Sequence, residues 1–119
     1  MFFYLLVGHA LMDYGLQPTP MAIEKSRHSK SELQKEVPWY YWLSAHALLH
    51  GGVVACIMIL FGLGVTTSTG FGILETVCHW MIDFARGEGW TNIHIDQALH
   101  VACKIVWCVM IAYGVTLNF

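Results

Sequence analysis

Residues 37–74 read VPWYYWLSAHALLHGGVVACIMILFGLGVTTSTGFGIL, without a single Asp, Glu, Lys or Arg. An uncharged apolar run of roughly 20 residues is long enough to cross the hydrocarbon core of a bilayer as a helix. Pro38 and the aromatic collar Trp39-Tyr40-Tyr41-Trp42 open the run, which predicts a helix from Trp39 to about Gly64. Inside it, SAHALLHG at Ser44–Gly51 places His46 and His50 four residues apart. Two imidazoles on one face of so apolar a helix need a partner, and the rest of the chain supplies candidates.

The same character extends outward. Of the 119 residues, 56% are hydrophobic and 12% charged, against about 25% charged in an ordinary soluble domain. Mean hydropathy is +0.54. The length suits one domain. The opening, MFFYLLVGHALMD, has neither a basic n-region nor a small-residue cleavage site, so it reads as a retained helix over about 2–16, stopped by the prolines of Gln17–Pro20. Residues 17–38 form a polar connection. VTTSTG at Val65–Gly70 reads as a turn, 71–85 as a third helix, and RGEGWT at Arg86–Thr91 as a glycine-rich turn. Asn92 is the expected N-cap of a fourth helix running to about Leu117. The expectation is an all-α, up-and-down four-helix transmembrane bundle. Cys56, Cys78, Cys103 and Cys108 lack CxxC spacing and read as core-filling residues. A net charge of −2 leaves no basic face able to grip phosphates along a strand, which excludes a nucleic-acid partner.

Basic residues set the orientation. Lys25, Arg27, Lys30 and Lys35 lie in the first connection and Arg86 in the third. In a four-span chain these share a side, and basic connections stay in the cytoplasm. Both termini then face the non-cytoplasmic side of a bacterial inner membrane, with Trp39, Trp42 and Trp90 at the cytoplasmic boundary.

Each expected helix carries two potential ligands spaced i, i+4: His9 and Asp13, His46 and His50, His79 and Asp83, Asp96 and His100. Such residues lie about 40° apart around the helix and ~6 Å apart along it, so each pair shares one face. Up-and-down topology brings all eight to one slab in the cytoplasmic half. Asp13, Asp83 and Asp96 form a layer toward the water, and the histidines lie beneath. A lone intramembrane histidine is usually a hydrogen-bonded helix contact. Four pairs, one per helix, point to metal. With Glu75, the spans hold four acids against the single base Lys104, a charge of about −3 that one or two divalent cations would offset. Mixed imidazole and carboxylate donors suit zinc best, with manganese or iron as alternatives. Haem needs two histidines and no carboxylates. Glu75 and Lys104, each one turn deeper than a ligand histidine, are expected to pair as the floor of the site, Glu75 having the alternative of ligating. Gln17 and Gln97 are expected to orient ligands from outside.

The segments GHALMDYGLQ (Gly8–Gln17), SAHALLHG (Ser44–Gly51), CHWMID (Cys78–Asp83) and DQALH (Asp96–His100) resemble a family of small bacterial and phage membrane proteins known as a domain of unknown function. More distantly, the pattern is similar to inner-membrane proteins described as metal-dependent hydrolases. The resemblance covers nearly the whole chain and implies a helical membrane fold and hydrolase activity. The leading expectation is a membrane-embedded hydrolase acting on a lipid-borne or interfacial phosphoester. In it Asp13, Asp83 and Asp96 are the catalytic carboxylates, and Lys25, Arg27 and Lys30 are candidate phosphate contacts or simply topology-setting charges. The rivals are a divalent-cation or proton transporter or channel, and a structural membrane protein fastened by metal.

Overall fold

A computed structural model describes residues 1–117, and every regular element among them is helical. Helix α1 spans Phe2–Ala10 and passes into a π-helical turn, Leu11–Gly15, closed by the Leu16 amide donating to the Leu11 carbonyl at 2.7 Å. Two short helices, α2 (Thr19–Glu24) and α3 (Leu33–Glu36), follow, then the long helices α4 (Trp39–Leu60), α5 (Val65–Gly87) and α6 (Ile93–Ala112). Helix α1 packs on α4 and α6, and α5 packs on the same two, so the four form a closed ring. The connection is folded rather than loose: α2 packs on α4, and the Gln34 side chain donates to the Glu24 and Ser26 carbonyls at 2.9 and 2.7 Å.

Two boundaries differ from expectation for the same reason. Gly62 adopts φ +85°, the left-handed conformation open to glycine, and the Leu63 amide reaches back to the Met58 carbonyl at 3.1 Å. Helix α4 therefore ends at Leu60, and α5 starts at Val65. The segment VTTSTG, expected as a turn, forms the first turns of α5, with Ser68 and Gly70 buried. Ser68 and Gly70 face the interior, while Thr66 and Thr69 are exposed on the outer side of the helix. Likewise Gly114 at φ +73° ends α6 at Ala112, short of the expected Leu117. Asn92 caps α6 as expected, its Oδ1 accepting from the His94 and Ile95 amides at 2.9 and 3.0 Å.

Helices α4 and α5 make the tightest contact. A Cβ on Gly51 would lie 2.3 Å from the Gly72 carbonyl and 2.0 Å from Thr76 Oγ1. Backbone cannot yield there as a flexible side-chain tip can, so Gly51→Ala should force the helices apart. Overpacking of this kind costs about 1–3 kcal/mol, read as a lower melting temperature in detergent; unchanged melting would show that the contact is looser.

The interior divides in two. Leu5, Val54, Met58, Phe71 and Trp107 fill the end where α4 and α6 finish. The opposite half is polar. Two helices, α4 and α6, are long and apolar enough to cross a membrane. Helix α5 is comparable in length, but Thr66, Thr67, Ser68 and Thr69 make it less apolar.

Candidate metal centre

The alternating helix directions bring the C-terminal parts of α1 and α5 beside the N-terminal parts of α4 and α6. Five histidines meet there: His46 and His79 are fully buried, and His9, His50 and His100 are nearly so. Ring centroids lie 3.7 Å apart for His50 and His79, 4.2 Å for His79 and His100, and 4.7 Å for His9 and His100. Asp13 enters from the π-helical turn. Its Oδ1 lies 3.1 Å from His50 Nε2 and 3.3 Å from His46 Nε2, and its Oδ2 lies 3.3 Å from His9 Nε2. Asp83 faces the cluster with both oxygens. Oδ1 is 3.2 Å from His100 Nε2, while Oδ2 is 3.4 Å from His46 Nε2 and 3.7 Å from His79 Nε2. Asp96 Oδ1 stands 3.9 Å from His100 Nε2.

These residues fit a metal. Donors bound about 2.0–2.2 Å from one tetrahedral ion lie about 3.3–3.6 Å from each other, which matches the spacing around His46 and His50. Several close pairs are nonetheless not hydrogen bonds. His46 Nε2, His50 Nε2, both ring nitrogens of His9 and of His79, and the Oδ1 atoms of Asp13 and Asp96 are buried without hydrogen-bond partners. Buried polar atoms are rarely left unpaired, because each costs about 1–3 kcal/mol of desolvation. So many, converging on one volume, form groups able to hold a cation.

The surrounding amides hold the donors in place. Gln97 Nε2 donates to Asp13 Oδ2 and Asp96 Oδ2, both at 3.2 Å, leaving each Oδ1 turned toward the cluster. With its amide set so that both ends are satisfied, Gln17 accepts from His46 Nδ1 and Lys25 Nζ at 3.2 Å and donates to the Asp13 carbonyl at 3.1 Å. A proton on Nδ1 leaves the His46 Nε2 lone pair free to ligate. Gln97→Ala is expected to weaken metal affinity about 10–100-fold without unfolding the protein, as titration with Zn²⁺ would measure. Unaltered affinity would deny Gln97 its orienting part.

The floor forms where the deepest charges meet. Lys104 Nζ donates to Glu75 Oε1, and Trp107 Nε1 donates to Oε2 at 2.7 Å. Oε1 stands 3.6 Å from His79 Nδ1, just outside hydrogen-bonding distance. On the other side, the carboxylates open into a cleft of about 460 Å³ lined by Asp13, Gln17, Lys25, Asp83, Arg86 and Asp96.

The basic residues sort differently than the sequence suggested. Lys25 belongs to the site, its Nζ 2.7 Å from Asp83 Oδ2. Arg27 pairs with Glu88 and lies over the Phe84 ring, and Lys30 is exposed and absent from the cleft lining. Arg86 lines the cleft in their stead. It and Trp107 carried no signal beyond charge and apolarity. Glu24, unremarked in a polar segment, is buried with Ser29 Oγ donating to it at 3.2 Å.

A family model with the description "protein of unknown function (DUF3307)" matches residues 1–119. The chain belongs to the DUF3307 family. No curated protein and no solved structure matches it. No named relative therefore links this DUF3307 chain to hydrolysis, and its chemistry rests on the cluster itself. Its motif segments are the ones that build the centre: GHALMDYGLQ supplies His9, Asp13 and Gln17, SAHALLHG His46 and His50, CHWMID His79 and Asp83, and DQALH Asp96, Gln97 and His100.

Proposed function

We propose that the chain is a membrane-embedded, metal-dependent hydrolase acting on a phosphoester at the membrane surface. The observation that carries this is the asymmetry of the site: donors sealed beneath by Glu75, Lys104 and Trp107 open above into a cleft bearing Lys25 and Arg86. A purely structural site would be closed on all sides. An ion channel would need polar groups continuing through the bundle, whereas here Phe71, Met58, Val54 and Leu5 fill the far half.

The membrane reading is a four-span bundle in a bacterial inner membrane with both termini outside. Its support is the two apolar helices, the exposed large side chains on their outer faces (Leu48, Leu49 and Leu60 among them), and a long dimension of 46 Å against a hydrocarbon core of about 30 Å. Lys25, Arg27, Lys30, Lys35 and Arg86 all belong to connections at the cleft end or its helix ends, which supports a cytoplasmic orientation of that end.

A divalent cation, zinc before manganese or iron, would bring the pKa of a bound water to about 7 and polarise a phosphoryl oxygen. His9, His46, His50, His79 and His100 would hold it together with the aspartates. Lys25 and Arg86 bind the phosphoryl oxygens and orient the ester over the carboxylate layer. An aspartate oxygen left free of metal takes the water proton. The buried floor keeps water from reaching the site from behind.

The test is release of phosphate or headgroup from phospholipid vesicles by the purified protein with Zn²⁺ or Mn²⁺. Metal-dependent turnover lost in Asp96→Asn, with the fold kept, is the expected result. Zn²⁺-loaded, folded protein inert toward phosphomonoester and phosphodiester lipids alike would overturn the assignment.

A further inference from the structure

Of the three donor groups, two have no member in common, and the third, His9 with His79 and His100, links them. Asp13, His46, His50 and His79 offer atoms within 4.8 Å of one another, and so do Asp83, Asp96 and His100. One donor atom of an imidazole serves one ion, so two disjoint sets of this size exceed what a single tetrahedral ion uses. Asp83 stands between them. Its Oδ1 faces His100 of the second set at 3.2 Å, while its Oδ2 faces His46 and His79 of the first at 3.4 and 3.7 Å. One oxygen toward each set is the arrangement of a bridging carboxylate, with Oδ2 also accepting from Lys25 Nζ at 2.7 Å. Gln97 joins the sets from outside by holding Asp13 and Asp96 through a single nitrogen.

We infer that the centre is dinuclear and unequal: a buried ion held by Asp13, His46, His50 and His79, and a second, cleft-facing ion held by Asp83, Asp96 and His100, bridged by Asp83. This inference rests on the metal-centre reading above and adds number, position and division of labour. The first set already has four protein donors, three of them buried histidines and only Asp13 reaching the cleft, so its ion is coordinatively complete. The second has three donors, and two of them line the cleft against one in the first set, so its ion keeps a position for water or substrate. Bridged ions about 3.5–4 Å apart clamp the attacking and leaving oxygens of an in-line displacement. Charge selects the substrate class. Two divalent ions set against Asp13, Asp83, Asp96 and Lys25 leave a surplus of about two positive charges, which suits a phosphoryl dianion better than a neutral carboxylic ester.

Stepwise addition of Co²⁺ to metal-stripped, full-length protein in detergent, followed by electron paramagnetic resonance, tests this. The high-spin signal is expected to grow through the first equivalent as the histidine-rich set fills. It should then fall through the second, as spins couple across Asp83. Asp96→Asn should stop uptake at one equivalent with the uncoupled signal retained. Saturation at one equivalent in the unaltered protein, or a signal that grows linearly to two, would overturn the bridged pair while leaving a metal-dependent hydrolase standing. Coupled uptake of two equivalents by Asp96→Asn would overturn the assignment of the second set. Failure of folded protein to bind Co²⁺ at all would overturn both readings. The titration of the unaltered protein decides the matter even if the variant does not fold.

Discussion

Glu75→Gln and Lys104→Met are each expected to destabilise the bundle by about 3–5 kcal/mol, and the double substitution by distinctly less than their sum. Both side chains are almost wholly buried, and they pair directly between the polar and apolar halves of the interior. Removing either leaves the other charged in a low-dielectric setting without its opposite charge. Trp107 adds to the asymmetry, because its indole N–H donates to Glu75 and would persist as half a network in Lys104→Met. Unfolding in graded denaturing detergent, followed by circular dichroism, gives the four corners of the cycle. Additive losses would mean that the two residues stabilise the chain independently.

His50→Ala is expected to lower metal affinity by more than the roughly 10–100-fold typical of a supporting residue, and to lower stability with it. His50 Nε2 has Asp13 Oδ1 at 3.1 Å, and its ring lies against His79, so its loss opens a donor position and a gap in the packing together. The two effects separate by chelation. An ion present at 100 times its dissociation constant stabilises the folded state by about 2.7 kcal/mol. The stability gap between the unaltered protein and His50→Ala should therefore narrow once both are stripped, leaving only the cavity cost. A gap unchanged by chelation would make His50 a packing residue.

Much of the centre is legible in the chain because helical periodicity is a local property. His9 and Asp13, His46 and His50, His79 and Asp83, and Asp96 and His100 lie four apart, and that spacing alone puts each pair on one face. Alternating helix direction then fixes their common depth. What the sequence hides is of two kinds. Lys25 reaches Asp83 across 58 positions, through a connection whose fold depends on tertiary contacts, so no spacing announces the pair. Arg86 and Trp107 enter the site through helix packing, where one basic or aromatic residue looks like any other. The start of α5 is obscured for a different reason: Thr and Ser read as turn formers, yet here they make the first turns of a helix whose close approach to α4 comes later, at Gly51, Gly72 and Thr76.

Extended X-ray absorption at the metal edge of protein purified in detergent reads the donor atoms around the bound ion. The expected spectrum has nitrogen and oxygen neighbours at about 2.0–2.2 Å, with the outer-shell scattering of several imidazole rings. Protein that purifies folded but without metal, and that takes up none when Zn²⁺ is supplied, would contradict a metal centre at these residues. So would a first shell of sulfur at about 2.3 Å, which would transfer the site to the cysteines.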